Sequence, residues 1–507
     1  MMKNVLEYLE NTKERLPDKA AFVNDDISLS FTDVYERARS AGSFLSLKGI
    51  YRRPVVVFMK KGPETLTAFF GCLYAGCPYV PVDEEMPEYR IKLIMQTLEP
   101  EAIICDESTY AAAAGFTGSE KIFLYEDMIK TPADEELLLK IRACQIDLDP
   151  AYVVFTSGST GIPKGVVASH RCLIDYIDNI SEALGFDESC IFGNQAPFYI
   201  DAYMREVGAT LKFGATTVMI PKQLFMFPVK LIEYVNKYNV NTLCWAVSAL
   251  TMVSTFNTFR TIVPSQVRTV TFVGEVFPVK QLNIWMDALP DARFFNLYGP
   301  TEITGVCCCY EVKRRFSENE TVPAGKPFNN TRILLINDEG KTAKEGEAGE
   351  ICVCGSCLSL GYYGNFEKTS QAFTQNPLND KYTEMIYHTG DMGRLDENGD
   401  IIFMSRRDLQ IKHMGHRIEL GEIETCVYAL DGIWRCCCLF DSEKKKIILY
   451  FAGSVSEADV AEHIKASLPR YMFANYIKKL DELPLTPNGK TDRTALKQMY
   501  DNKQEKI

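Results

Sequence analysis

The sequence predicts an α/β protein with a large N-terminal domain of largely parallel α/β layers, a β-rich subdomain, and a small α+β C-terminal domain. Three observations carry this prediction. Apolar strand-like runs alternate with amphipathic stretches through the first part of the chain; the texture changes between residues 320 and 405; and a fresh set of strand and helix signals follows Arg406-Arg407-Asp408. At 507 residues the chain exceeds one ordinary core, so two or more domains are expected.

The elements follow in order. Pro54-Val55-Val56-Val57-Phe58-Met59 reads as a buried strand, Glu64 to Leu73 as an amphipathic helix, and Ala102-Ile103-Ile104-Cys105 as the next strand. A helix-like Val229 to Tyr238 precedes a strand-like Asn241 to Val247. From about 320 to 405, short strands such as Arg332-Ile333-Leu334-Leu335-Ile336 and Gly349-Glu350-Ile351-Cys352-Val353 are punctuated by Gly, Asp and Asn turns. The expected domains are 1–405, a boundary at 406–408, and 409–507, where Ile447 to Phe451, Glu457 to Leu468 and Ala474 to Leu480 read strand, helix, strand. The polar tail Asp501 to Ile507 is expected to fray.

Composition narrows the function. A net charge of -12 argues against nucleic-acid binding, because phosphate backbones attract basic surfaces. The N-terminus lacks the apolar core of a signal peptide, and no run approaches the roughly 20 apolar residues that span a bilayer. Cytoplasmic residence without membrane insertion is the expectation. The 17 cysteines then read as reduced thiols in a reducing compartment. Cys307-Cys308-Cys309 and Cys436-Cys437-Cys438 are poorly spaced for a tetrahedral metal site, and Cys352 and Cys354 alternate along a strand-like run with Cys357 nearby, so structural zinc is not expected.

The strongest local signal is Thr156-Ser157-Gly158-Ser159-Thr160-Gly161-Ile162-Pro163-Lys164-Gly165, preceded by strand-like Tyr152-Val153-Val154-Phe155. Glycines permit tight turns and expose amide N–H groups, while hydroxyls and a lysine add donors, so the loop suits polyphosphate. It lacks the Walker A spacing. Read alone, a glycine-serine loop is also compatible with an ordinary surface turn.

The string resembles the phosphate loop of the adenylate-forming superfamily, which includes acyl-CoA synthetases, luciferases and nonribosomal adenylation domains. Further motifs occur in that family's order: Tyr74-Ala75-Gly76-Cys77-Pro78-Tyr79-Val80-Pro81-Val82-Asp83, Asn296-Leu297-Tyr298-Gly299-Pro300-Thr301-Glu302, Tyr387-His388-Thr389-Gly390-Asp391, Arg417-Ile418-Glu419-Leu420-Gly421-Glu422, and Pro487-Asn488-Gly489-Lys490. The resemblance covers nearly the whole chain. It implies an enzyme using ATP and Mg²⁺. It implies nucleotide binding by Thr156, Ser157, Gly158, Ser159, Thr160, Gly161, Lys164, Asn296, Tyr298 and Gly299, with Tyr298 packing on adenine. Asp391 is implied as the ribose acceptor, with Arg406 reaching the nucleotide. Thr301 and Glu302 are implied near phosphate and Mg²⁺, Glu302 as the hard oxygen ligand. Lys490 is implied as the catalytic cation, and Asp408 as the hinge about which a mobile small domain turns between two half-reactions.

Phe198-Tyr199-Ile200-Asp201 stands where amino-acid-activating members carry an aromatic residue followed by Asp, so Asp201 is implied to meet a substrate ammonium. Val273, Leu297 and Arg205 complete the substrate-contact set; Arg205 stands four residues after Asp201, which puts it on the same face of any helix beginning there. Its spacing leaves substrate contact, pairing with Asp201 or Glu206, and a solvent-facing position all open. Gln195-Ala196-Pro197-Phe198 and Gly274-Glu275-Val276-Phe277-Pro278 most resemble the standalone D-alanine–D-alanyl carrier protein ligases. That resemblance implies an amino-acid substrate, D-alanine first among candidates, and a separate phosphopantetheinylated carrier protein as acceptor. Val273 replaces a characteristic cysteine there, and Arg205 stands where uncharged residues are usual. The rival readings are an acyl- or aryl-CoA synthetase, which would not need Asp201, a ligase for an acidic or polar amino acid, and an inactive nucleotide-binding homologue.

Overall fold

A computed structural model describes residues 2–158, 162–317, 320–344, 346–407, 410–485 and 491–504, with side chains through 501. Of the sequence-predicted site residues, Ser159, Thr160, Gly161, Asp408 and Lys490 lie outside the described residues. The chain forms two compact units. The first comprises Met1–Glu84, Thr97–Phe155 and Gly165–Arg407; the second comprises Glu85–Gln96, Thr156–Lys164 and Asp408–Ile507.

In the first unit, a nine-stranded sheet has at its centre the parallel strands Ala20–Val23, Thr216–Met219, Ile191–Asn194, Thr242–Ala246, Thr269–Val273 and Arg293–Tyr298. Antiparallel strands flank them, Ser28–Ser30 at one edge and Cys308–Glu311 with Lys326–Pro327 at the other. A six-stranded sheet runs in the order Ile122–Leu124, Ala102–Cys105, Val55–Phe58, Tyr79–Pro81, Pro150–Thr156, Lys164–Ser169, with its first five strands paired in parallel. Val55–Phe58 and Ala102–Cys105 are buried along their whole length, as a parallel sheet covered on both faces requires. The predicted α/β alternation is present, with helix Pro63–Tyr74 following Val55–Phe58 and helix Pro228–Lys237 preceding Thr242–Ala246.

The β-rich texture corresponds to a five-stranded antiparallel sheet of Thr331–Ile336, Gly349–Gly355, Met385–Leu395, Phe373–Gln375 and Ile401–Arg406. Its apolar face packs Ile351, Val353, Phe373 and Tyr387 with Tyr298 and Ile303. Most of the 17 cysteines are buried, as small apolar side chains are.

The second unit holds the hairpin Gln410–His413 and His416–Glu419, helices Leu420–Tyr428, Glu457–Ser467 and Arg493–Gln504, and a three-stranded sheet of Ile433–Asp441, Lys446–Gly453 and Tyr476–Lys479. Ile447, Leu449 and Phe451 face Val460 and Ile464 on one side, while Ile448 and Tyr450 face Leu496 and Tyr500 on the other. This period-two alternation, with both faces covered, explains why residues 447–452 are apolar throughout. Among the described residues, no helix is long and apolar enough to cross a membrane.

Candidate active site

Thr242–Ala246, Thr269–Val273 and Arg293–Tyr298 lie side by side in parallel register, with Cys244 opposite Thr271, Ala246 opposite Val273 and Val273 opposite Leu297. Their carboxyl ends are where open α/β sheets build ligand crevices. Val273 ends its strand half-buried; Leu297 is buried beside it. Asn296 spends its side-chain amide on backbone carbonyls, donating to Pro323 O at 2.7 Å and Val322 O at 3.4 Å.

After Tyr298 the chain reverses tightly. A Cβ on Gly299 would lie 2.4 Å from Val306 Cα and 2.6 Å from Gly305 O, so only glycine allows this approach. The turn delivers Thr301–Ile303 as a single 3-10 turn. Glu302 is fully buried: its Oε1 accepts from Tyr362 OH at 2.8 Å and its backbone carbonyl accepts from Ser359 N at 2.9 Å.

Asp391 sits within strand Met385–Leu395, directly opposite Arg406. Arg406 Nη1 donates to Asp391 Oδ1 at 2.5 Å, and Tyr298 OH donates to Asp391 Oδ2 at 2.6 Å. Thr389 Oγ1 accepts from the Asp391 backbone N–H at 3.0 Å and donates to Ile351 O at 2.7 Å. Thus three side chains separated widely in sequence, Tyr298, Asp391 and Arg406, are joined by short hydrogen bonds.

Asp201 opens a 3-10 turn, Asp201–Tyr203, that runs into helix Met204–Phe213; the helix stops at Gly214, whose φ of +83° takes the left-handed cap. Residues 204–211 of that helix are all buried. Burial pushes the Asp201 carboxyl up to about 6, with the Thr301 hydroxyl and Arg205 pulling the other way. Its Oδ2 has no hydrogen-bond partner among the described residues. Asp201, Thr301 and Glu302 are therefore electrostatic neighbours, although a hundred residues separate the two motifs.

Arg205 is 2% exposed, which removes the solvent-facing position left open by its spacing. Its Nε donates to Ala202 O at 3.2 Å and its Nη2 to Cys244 O at 3.3 Å. The adjacent Glu206 is fully buried, both carboxylate oxygens lack a partner among the described residues, and burial pushes it up to about 7. Lys61 is held down to about 8 by burial, against the pull of Glu206 and Asp83; its Nζ donates to Asn194 O and Gln195 O, each at 3.3 Å. Glu206, Lys61, Tyr176 and Thr271 escaped the sequence reading. Glu206 had a signal, since an Arg-Glu pair interrupts an otherwise apolar, helix-capable run; Lys61, Tyr176 and Thr271 had none.

The phosphate-type loop lies in the second unit. A Cβ on Gly158 would lie 2.1 Å from Ile162 O, an approach that only glycine permits. Ser157 Oγ donates to the Arg417 carbonyl, and Lys164 Nζ stands 4.0 Å from Glu419 Oε1. Thr156 Oγ1 is buried without a partner among the described residues. Glu350, Cys352 and His388 bring potential metal ligands within 4.8 Å of one another. There Glu350 already accepts from His388 Nδ1 at 3.2 Å, Arg407 Nη1 at 3.3 Å and the Gly390 backbone N–H at 3.0 Å, which is an ion-pair cluster with a resident cation.

Residues 9–363 match the family described as AMP-binding enzyme. Tyrocidine synthase 1 of Brevibacillus parabrevis is 30% identical over 97% of this chain, which spans 45% of that relative. The chain spans less than half the length of the curated relatives it matches. Among solved structures, an artificially fused adenylation–PCP di-domain from Klebsiella oxytoca superposes with a TM-score of 0.82 at 20% identity, covering 95% of each chain. An o-succinylbenzoate CoA synthetase variant from Bacillus subtilis superposes with 0.83 at 19% identity, covering 98% of each.

Proposed function

The chain belongs to the AMP-binding enzyme family of adenylate-forming ligases, and on that premise we propose that it activates an amino acid as aminoacyl-AMP and passes it to a carrier-protein thiol. The observation that carries this reading is Asp201: a fully enclosed carboxyl with an unpartnered oxygen, beside Thr301 and Glu302 of the nucleotide motif. A buried carboxylate is costly unless paired, and a substrate α-ammonium supplies the pair.

In this reading the substrate carboxylate attacks the α-phosphorus of ATP and pyrophosphate leaves. Two anions must approach, and charge builds on the phosphoryl oxygens in the transition state. Lys490 supplies the opposing charge, with Lys164 and Thr156 to Gly161 on the phosphates. Asp391, oriented by Tyr298 and Arg406, accepts from the ribose hydroxyls; Tyr298 also offers its ring to adenine. Asn296 and Gly299 shape the nucleotide wall, and Val273 and Leu297 the substrate wall. Glu302 and Thr301 offer the hard oxygen donors that suit Mg²⁺, which when bound neutralises phosphate charge. Residues 1–405 would form the ATP- and substrate-binding domain, with Asp408 as hinge to the small domain 409–507. The motif strings resemble those of D-alanine ligases, but Val273 and Arg205 depart from that pattern at the substrate wall.

Pyrophosphate exchange across D- and L-amino acids, aryl acids and fatty acids tests the reading. Exchange driven by amino acids, followed by thioester formation on a phosphopantetheinylated carrier, is the expected result. Exchange confined to acids without an α-amine, with transfer to coenzyme A, would assign a CoA synthetase instead.

A further inference from the structure

Resting on amino-acid adenylation, we propose that the substrate carries a second carboxylate in its side chain and that Arg205 is the residue that reads it.

The guanidinium of Arg205 is fixed before any ligand arrives. Two of its nitrogens are committed to main-chain carbonyls, Nε to Ala202 and Nη2 to Cys244. Its third nitrogen, Nη1, is buried and has no partner among the described residues. A preorganised, buried donor with nothing to donate to is costly, and costlier when charged. Such a group persists where a ligand supplies the acceptor.

The surroundings point the same way. Thr271 stands opposite Cys244 in the neighbouring parallel strand, and its buried Oγ1 has the Cys244 thiol as its one polar neighbour among the described contacts. The buried, unpartnered Tyr176 hydroxyl has Arg205, Asp201, Glu206 and Cys244 as its electrostatic neighbours. It also lies against the chain just after Thr301–Ile303, where a Cβ on Gly305 would be 3.1 Å from it. The open groups near Arg205 are thus a guanidinium N–H and two hydroxyls, all able to donate. A carboxylate only accepts, at about four lone-pair positions, and can serve all three; a side-chain amide's oxygen can also accept, but it brings no charge to set against the guanidinium.

The charge count agrees. The substrate ammonium, Arg205 and Lys61 bring three positive charges against the two carboxyls Asp201 and Glu206, with Arg205 acting on Glu206 more strongly than Lys61. The further charges acting on Lys61, Asp83 and Lys222, are opposite in sign. One positive charge remains, and a side-chain carboxylate balances it. Alanine's methyl would leave that charge buried and the Arg205 Nη1 unpaired.

The test is pyrophosphate exchange by the full chain with aspartate, glutamate and their longer homologue in both configurations, against asparagine, glutamine, alanine and leucine, with benzoate and octanoate included. The expected result is an acidic amino acid favoured over its own amide by at least ~10-fold in kcat/KM, the scale on which a hydrogen bond between charged groups exceeds a neutral one. Arg205→Met should erase that preference, and Arg205→Lys should restore part of it. If Arg205→Met does not fold, Thr271→Val and Tyr176→Phe serve, each lowering the acid-to-amide ratio several-fold. A neutral amino acid preferred by the wild type, with its rank unchanged in the variants, overturns the inference and leaves amino-acid adenylation standing. Exchange with benzoate or octanoate alone overturns both. Should exchange be undetectable, binding of the sulfamoyl-adenosine analogues of aspartate, glutamate and alanine decides by the same ranking.

Discussion

Asp201 carries two predictions at the scale of the single residue. Replacing it with alanine should raise the KM for the amino acid by ~10-fold or more while leaving a deamino analogue nearly unaffected, as removal of a charged hydrogen bond predicts; equal losses for both substrates, measured by exchange, would make Asp201 structural. The second concerns pH. Burial pushes the Asp201 carboxyl up to about 6, so it is ionised above that pH and neutral below it. The neutral acid cannot balance an ammonium. kcat/KM for the amino acid should therefore fall as pH drops through about 6, whereas the deamino analogue should lack this limb. Coincident profiles for the two substrates would separate the titration from amine recognition.

Elements place these residues, and the clearest case is the reversal after strand Arg293–Tyr298. Gly299 has an ordinary backbone region available to any residue, but the Val306 and Gly305 main chain occupies the space a Cβ needs. Gly299→Ala should cost about 1–3 kcal/mol, as overpacking does, and lower the urea midpoint; it should also impair exchange, because Tyr298 and Thr301 flank the displaced segment. An unchanged midpoint would show that the turn can relax. Helix Met204–Phe213 makes the contrasting point. Its opening, Met204-Arg205-Glu206-Val207, mixes charged with apolar residues, and all four side chains are buried. A helical period places Arg205 one turn from Asp201, but it does not say that both faces of the helix are covered; only the neighbouring strand and helices decide that.

The scale of the whole molecule belongs to the two-step cycle. Lys490→Ala should reduce adenylate formation by about 10²–10³ while nucleotide binding persists, the loss expected for one electrostatic partner of the transition state; exchange at the wild-type rate would remove Lys490 from the chemistry. Asp408→Pro should spare exchange and slow thioester formation, because proline restricts the backbone rotation a hinge requires. Single-turnover transfer from preformed aminoacyl-AMP reads this directly, and unchanged transfer would place the hinge elsewhere.

The sequence by itself determined the α/β class, the β-rich insertion and the family, because each rests on local pattern: unbroken apolar runs for buried parallel strands, turn residues between short strands, and motifs whose glycines are dictated by close approach. It also supplied Tyr298, Asp391 and Arg406 as separate motif members. Tertiary structure alone decided that these three share one hydrogen-bonded cluster, since they lie on strands of two different sheets. It alone decided that Arg205 and Glu206 are buried, that Lys61 acts on Glu206 from far away in the chain, and that Tyr176 and Thr271 hold buried hydroxyls nearby. Burial and charge balance are sums over all neighbours in space, and no window along a chain contains those neighbours. Family could therefore be read along the sequence, whereas the burial and polarity around Asp201 and Arg205 emerged only when distant elements were packed together.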